Sequence, residues 1–117
     1  MKGRLTLIAP DAPEPQITDY SSEIPLGELQ RLVGGYIELV PFWITAKVGR
    51  DIATRVPARV FCNEDGKRLQ LPRNHFADAL WVEAIAADFG HRGTPRGDFL
   101  VGPVAIVTGD AEFMEAL

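Results

Sequence analysis

The chain has 117 residues, 46% of them apolar and 24% charged. That is enough for a single domain, 1–117, with its own core, and too apolar for extended disorder. The net charge of −4 argues against non-specific nucleic-acid binding, and the lone cysteine, Cys62, excludes an internal disulfide and fits a reducing, cytoplasmic setting.

Residues 3–9 read as a strand, with Leu5, Leu7 and Ala9 alternating against Arg4, Thr6 and Ile8. The basic start followed by apolar residues does not make a signal peptide, because Pro10-Asp11 cuts the run short. No stretch approaches the ~20 apolar residues of a membrane span, so no membrane is expected as a partner. Pro10 to Pro15 stops the strand and opens a long surface loop reaching to about residue 23. Leu26, Leu29, Leu32 and Val33 recur at helical spacing, which predicts a short helix over 25–33 ended by Gly34-Gly35. A strand follows over 36–40, closed by Pro41, and residues 45–57 carry no clear pattern.

Residues 58–63 and 67–71 both read as strands. Asp65-Gly66 between them is a hairpin signal, because glycine supplies the positive φ of tight hairpin turns. Asn74 is placed to cap a helix running to about Asp88, with Phe76, Leu80, Trp81, Ala84, Ile85 and Ala87 as its buried stripe. The glycine-rich stretch 90–97 is a loop. Residues 98–108 form the most apolar strand, expected at the centre of the sheet with a bulge at Gly102-Pro103. Asp110 caps a last helical turn from which Phe113, Met114 and Leu117 pack back. The fold class that follows is α+β: a mostly antiparallel sheet of four or five strands with two main helices.

The chemical inventory is thin. Two histidines and one cysteine lack the paired spacing of a zinc site, and no phosphate-binding glycine loop is present, so no metal or cofactor is expected. Cys62 could be a thiol nucleophile beside His75 or His91, but it alternates with Val60 like a packed strand residue. His91, Arg92 and Arg96 among the glycines of 90–97 could line an anion pocket or simply decorate a connection. Charge is uneven: residues 45–75 hold seven basic and three acidic side chains, between acidic flanks. A basic middle could hold an anionic ligand.

Three runs resemble a known family: Leu32–Glu38; Cys62–Lys67 followed by Leu71-Pro72 and Asn74; and Val101–Ile106. Together and in this order they are similar to the domain of unknown function 3846 family of short bacterial, plasmid and phage proteins. The resemblance spans about residues 24–109, with the first strand and the loop 10–23 at its margin. It implies a compact domain that travels on mobile elements and acts on a host process. It brings no activity with it. Cys62 stands where the pattern more often has an aliphatic residue, which implies a packing role.

The reading is therefore a non-catalytic binding or protein-interaction module. The alternative is a binding protein for a small, nucleotide-like anion. Such a ligand is expected near Asn63, Glu64, Arg68, Arg73 and Asn74, where the hairpin meets a helix N-terminus with free N–H groups.

Overall fold

The computed structural model describes residues 1–12, 14–47 and 54–117. Pro13 of the proline-rich loop, and residues 48–53 of the unpatterned segment with Arg50 and Asp51, lie outside the described residues.

The fold is α+β: the described residues form an antiparallel six-stranded sheet with two main helices and a short third. The first strand, β1 (Gly3–Ile8), turns back into β2 (Gln16–Tyr20), in the stretch read above as loop. Helix α1 (Leu26–Val33) starts after Pro25 and ends at Gly34, with φ 82° and its N–H on Gln30 O at 2.9 Å. Next come β3 (Ile37–Leu39) and β4 (Thr45–Lys47), both laid along β5 (Arg55–Asn63). Their registers differ by two residues, so the chain bulges between Val40 and Ile44. The bulge drives Trp43 into the core and leaves Phe42 outside at φ 60°. Helix α2 (His75–Phe89), β6 (Val104–Gly109) and α3 (Ala111–Glu115) complete the chain.

The strand order is β2-β1-β6-β5-β3, and β6 lies between β1 and β5 as its apolar sequence predicts. Residues 98–103 do not extend it: Gly102, at φ 71°, turns the chain, and only Val101 forms a bridge, to Arg73. Alternation sorts the sheet into two faces. Leu5, Phe61, Ala105 and Val107 pack with Ile24, Leu29 and Val33 around α1, and with Phe113 of α3. Ile8, Val60, Val104 and Ile106 pack with Trp43 and with Ala77, Trp81, Ala84 and Ile85 of α2. The buried stripe of α2 is thus Ala77, Trp81, Ala84 and Ile85, with Leu80 half-buried. Phe76 and Ala87, expected inside, are exposed.

Residues 64–71 are not the return strand of a hairpin. They coil through successive turns, with Leu69 N on Asp65 O at 2.9 Å and Leu71 N on Gly66 O at 3.0 Å. The positive φ falls on Gln70 (55°) rather than on Gly66. Gly66 is needed for close approach: a Cβ there would lie 2.8 Å from Val101 Cγ2.

The three sequence runs that carry the family resemblance meet at this corner. Asn63 Nδ2 donates to Val33 O at 3.2 Å, Glu64 N to Tyr36 O at 2.9 Å, and Gly102 N to Pro72 O at 2.8 Å. They are scaffold contacts between backbone segments distant in sequence.

Candidate functional site

On the α2 face, Arg4, Thr6 and Ile8 alternate along β1. Their register sets Arg4 opposite Asp19 and Thr108, and Thr6 opposite Ile17 and Ile106. Helix α2 lies over β5 and β6 because its start is pinned by Asn74. This fully buried amide accepts from Ala77 N at 3.1 Å and donates to Ile8 O at 2.9 Å and Gly102 O at 3.0 Å. Further along, Trp81 Nε1 donates to Pro41 O at 2.9 Å. The strip of sheet beyond the helix, on β1 and β2, is left uncovered by the described residues.

That uncovered strip is the floor of a cavity of about 480 Å³, within the range of small-molecule sites. Ile8, Ile17, Trp43, Phe76, Leu80 and Ile106 give it apolar walls. Among the described residues its polar lining is Thr6, Thr108, Arg4, Lys47, Arg55 and Glu83, three cations and one carboxylate.

The cations are held differently. Arg4 grips Asp19 across the β1–β2 ladder, Nε to Oδ1 at 2.7 Å. The Arg4 hydrogen bond holds the Asp19 carboxyl below its usual range. Arg55 donates from Nε to Thr45 Oγ1 at 2.7 Å and from Nη2 to Thr45 O at 2.9 Å. Thr45 in turn donates to Asp88 Oδ2 at 2.7 Å. The remaining Arg55 nitrogen, Nη1, faces Glu83 Oε1 at 3.7 Å, and Lys47 Nζ pairs with the same oxygen. Two cations therefore share the Glu83 carboxylate on an apolar wall, with Asp88 set back from the cavity behind Thr45.

The five residues expected to bind a ligand do not gather in one cavity. Asn63 and Glu64 line a smaller one of about 240 Å³ that Arg68, Arg73 and Asn74 do not line. Its charged lining is Glu38, Glu64 and Asp98 against Lys67, an acidic set that disfavours an anion. Asn63 is buried, its Oδ1 accepting from Asp65 N at 2.8 Å. Glu64 is exposed, and Arg68 pairs with Asp65 three residues back. Arg73 pairs with Asp78 at 2.9 Å and lies over the Phe99 ring at 4.7 Å. The N–H of Ala77 at the α2 N-terminus is taken by Asn74. Cys62 borders the smaller cavity, and burial, reinforced by Glu38 and Asp98, pushes its thiol up to about 11. A thiol so shifted stays protonated near neutral pH, which is the opposite of what a nucleophile needs.

Sequence reasoning reached Lys47 and Arg55 only as part of a basic segment, and missed Arg4, Thr6 and Ile17 altogether. The signal for these was present: Ile17-Thr18-Asp19-Tyr20 is rich in strand formers. Reading it as a strand sets Asp19 against Arg4.

Fold and cavity together define an α+β domain with a packed core on each face of its sheet and, on the α2 side, a cavity that joins apolar walls to a charged rim. The chain belongs to the family described as domain of unknown function (DUF3846), whose model matches residues 1–116. The match takes in the first strand and the loop 10–23, which the sequence runs had placed at its margin. No curated protein and no solved structure matches the chain.

Proposed function

We propose that this domain is a non-catalytic binding protein for a small amphipathic anion, held in the cavity between α2 and the β1–β2 side of the sheet. One observation carries the reading: Lys47 and Arg55 converge on the single carboxylate of Glu83 at the rim of an apolar cavity. An acidic head group would settle beside those two cations, where a low-dielectric wall strengthens the attraction. The apolar body would lie against Trp43, Leu80 and Ile106, with Thr6 and Thr108 offering hydroxyls to a polar substituent. Anion binding has less support at the expected residues, where Asn63 at the end of β5 and Asn74 at the α2 N-terminus spend their amides on backbone groups. The cytoplasmic setting and the carriage on plasmids or phages belong to this same proposal; a small-ligand binder acting on a host process fits both.

The test uses a matched eight-carbon series: octyl phosphate, octanoate, octanol and octyltrimethylammonium. A ligand that binds only the folded state raises Tm by mass action. Octyl phosphate and octanoate should raise Tm and octyltrimethylammonium should not, with the gain shrinking as salt rises. Thr6→Trp, which fills the floor, should abolish the gain. If octanol matches the anions, or Thr6→Trp binds as well as the parent chain, the proposal fails.

A further inference from the structure

A second cavity, of about 340 Å³, opens where the bulge between β3 and β4 meets the end of α2. Phe42, Ile85, Phe89 and Pro95 give it apolar walls, and His91 and Arg92 line it from the loop after the helix. It shares no lining residue with the sheet-face cavity. Ile85 is buried, but Phe42 is 51% exposed and Phe89 41%. Phe42 is held at φ 60°, in the left-handed region that a bulky side chain enters only at a cost. A glycine would avoid that cost. The chain instead places an aromatic ring there and leaves half of it in water.

The two phenylalanines meet edge-on, with 5.4 Å between ring centroids and 89° between planes. A flat ring system set into that right angle lies against one ring face and turns its edge to the other, and both are favoured aromatic contacts. An aliphatic ligand gains neither. The charge of the lining selects further, because no carboxylate lines this cavity among the described residues. Arg4, Arg31, Arg68 and Arg73 each grip a carboxylate, whereas Arg92 has none among the described residues. Its planar guanidinium suits a phosphate or carboxylate. We propose that this cavity is a second binding site, for a planar aromatic ring that carries an anionic group, with a nucleoside monophosphate as the type.

The surroundings set the strength of the contact. Helix α2 ends at Gly90, and the negative end of its dipole offsets part of the Arg92 charge. Arg92 is exposed, so salt screens what remains. Stacking therefore supplies most of the affinity and the anionic group a smaller share, which places binding in the high-micromolar range. A single-stranded nucleic acid carries the same rings and phosphates, but a net charge of −4 repels a polyanion and favours the free nucleotide.

The test is an NMR titration of the parent chain with adenosine monophosphate, adenosine, ribose phosphate and a short deoxyadenosine oligomer. Adenosine monophosphate should shift the amide resonances of residues 89–94. Adenosine should bind a few-fold more weakly, and ribose phosphate should not bind. Phe42→Gly should weaken the nucleotide about fivefold or more. Its Tm should stay close to that of the parent, because relief of the strained φ offsets the lost ring contact. Arg92→Glu, at an exposed position, should bring the nucleotide down to the level of adenosine or below. Thr6→Trp should leave nucleotide binding unchanged, so this inference and the sheet-face reading fail separately. The proposal is overturned by a nucleotide that leaves those resonances in place, or by ribose phosphate or adenosine binding as tightly as the nucleotide. It is equally overturned if Phe42→Gly or Arg92→Glu binds the nucleotide as the parent does, or if the oligomer binds more tightly than its number of bases accounts for.

Discussion

The two faces of the sheet are built to different standards. On one, α1 and α3 cover the strands and seal Leu5, Val33, Val107 and Phe113 from solvent, and α1 turns its charged side outward. On the other, α2 covers only part of the sheet, leaves a cavity beside it, and turns Phe76, Val82 and Phe89 to water. The first face spends most of its apolar surface on folding, and leaves Leu26 and Leu39 exposed beside a shallow cleft between α1 and the chain's last residues. The second keeps apolar surface in reserve, and reserve of that kind is what a binding face has.

The widest separation should come from matched truncations of phenylalanine on the two faces. Phe113 is fully buried and packs against Tyr20 at 6.3 Å between ring centroids. Phe113→Ala should cost about 4 kcal/mol in urea unfolding. Phe89→Ala, 41% exposed, should cost no more than about 1 kcal/mol. Equal losses would erase the distinction between the faces.

A smaller effect is expected from the residue that sets where α2 lies. Asn74→Ala removes a cap and leaves Ile8 O and Gly102 O without a donor. It should lower stability by about 2–3 kcal/mol. It should also broaden the cavity edge, read as faster hydrogen exchange along α2 with β1 unchanged. A loss under about 0.5 kcal/mol would mean that packing alone positions the helix.

The smallest effect concerns Cys62, half-buried on the α2 face. Burial raises its thiol from an ordinary value near 9 to about 11 in the folded chain. A folded value above the unfolded one favours folding while both forms are neutral, and that advantage is lost as the unfolded thiol ionises between about pH 9 and 11. The parent chain should therefore lose more stability than Cys62→Ala between pH 8 and pH 10.5. Parallel curves would show that the thiol is wetter than its surroundings imply.

Local signals served well where the chain decides its own shape. Asn74 and Asp110 cap α2 and α3 as expected, with Phe113 N on Asp110 Oδ1 at 2.9 Å, and Gly34 ends α1. They failed where a distant segment decides. Four of the five residues of β2 are exposed, so it has no buried alternation to detect, and only its ladder with β1 makes it a strand. Asp65-Gly66 carries a hairpin signal, yet the chain coils because Gly66 must pass close to Val101. A β-branched residue at Gly66 should still destabilise, through overlap rather than through a strained φ. The expected site failed for a related reason. Arg68 and Arg73 have carboxylates three and five residues away and fold onto them. The cavity instead draws Arg4 and Ile17 from a hairpin, Lys47 and Arg55 from another, and Leu80 from a helix, an assembly no local pattern spells out.

The strand between β1 and β5 follows both of them in the sequence, and this bears on synthesis. Neither β1 nor β5 can find its central neighbour until residues 104–109 have left the ribosome. Until then the N-terminal hairpin and the β3–β5 unit are two separate half-sheets, each with an unpaired edge and an apolar face. Such edges invite pairing with other nascent chains. The sheet should therefore close in one late step, when β6 pairs with both halves.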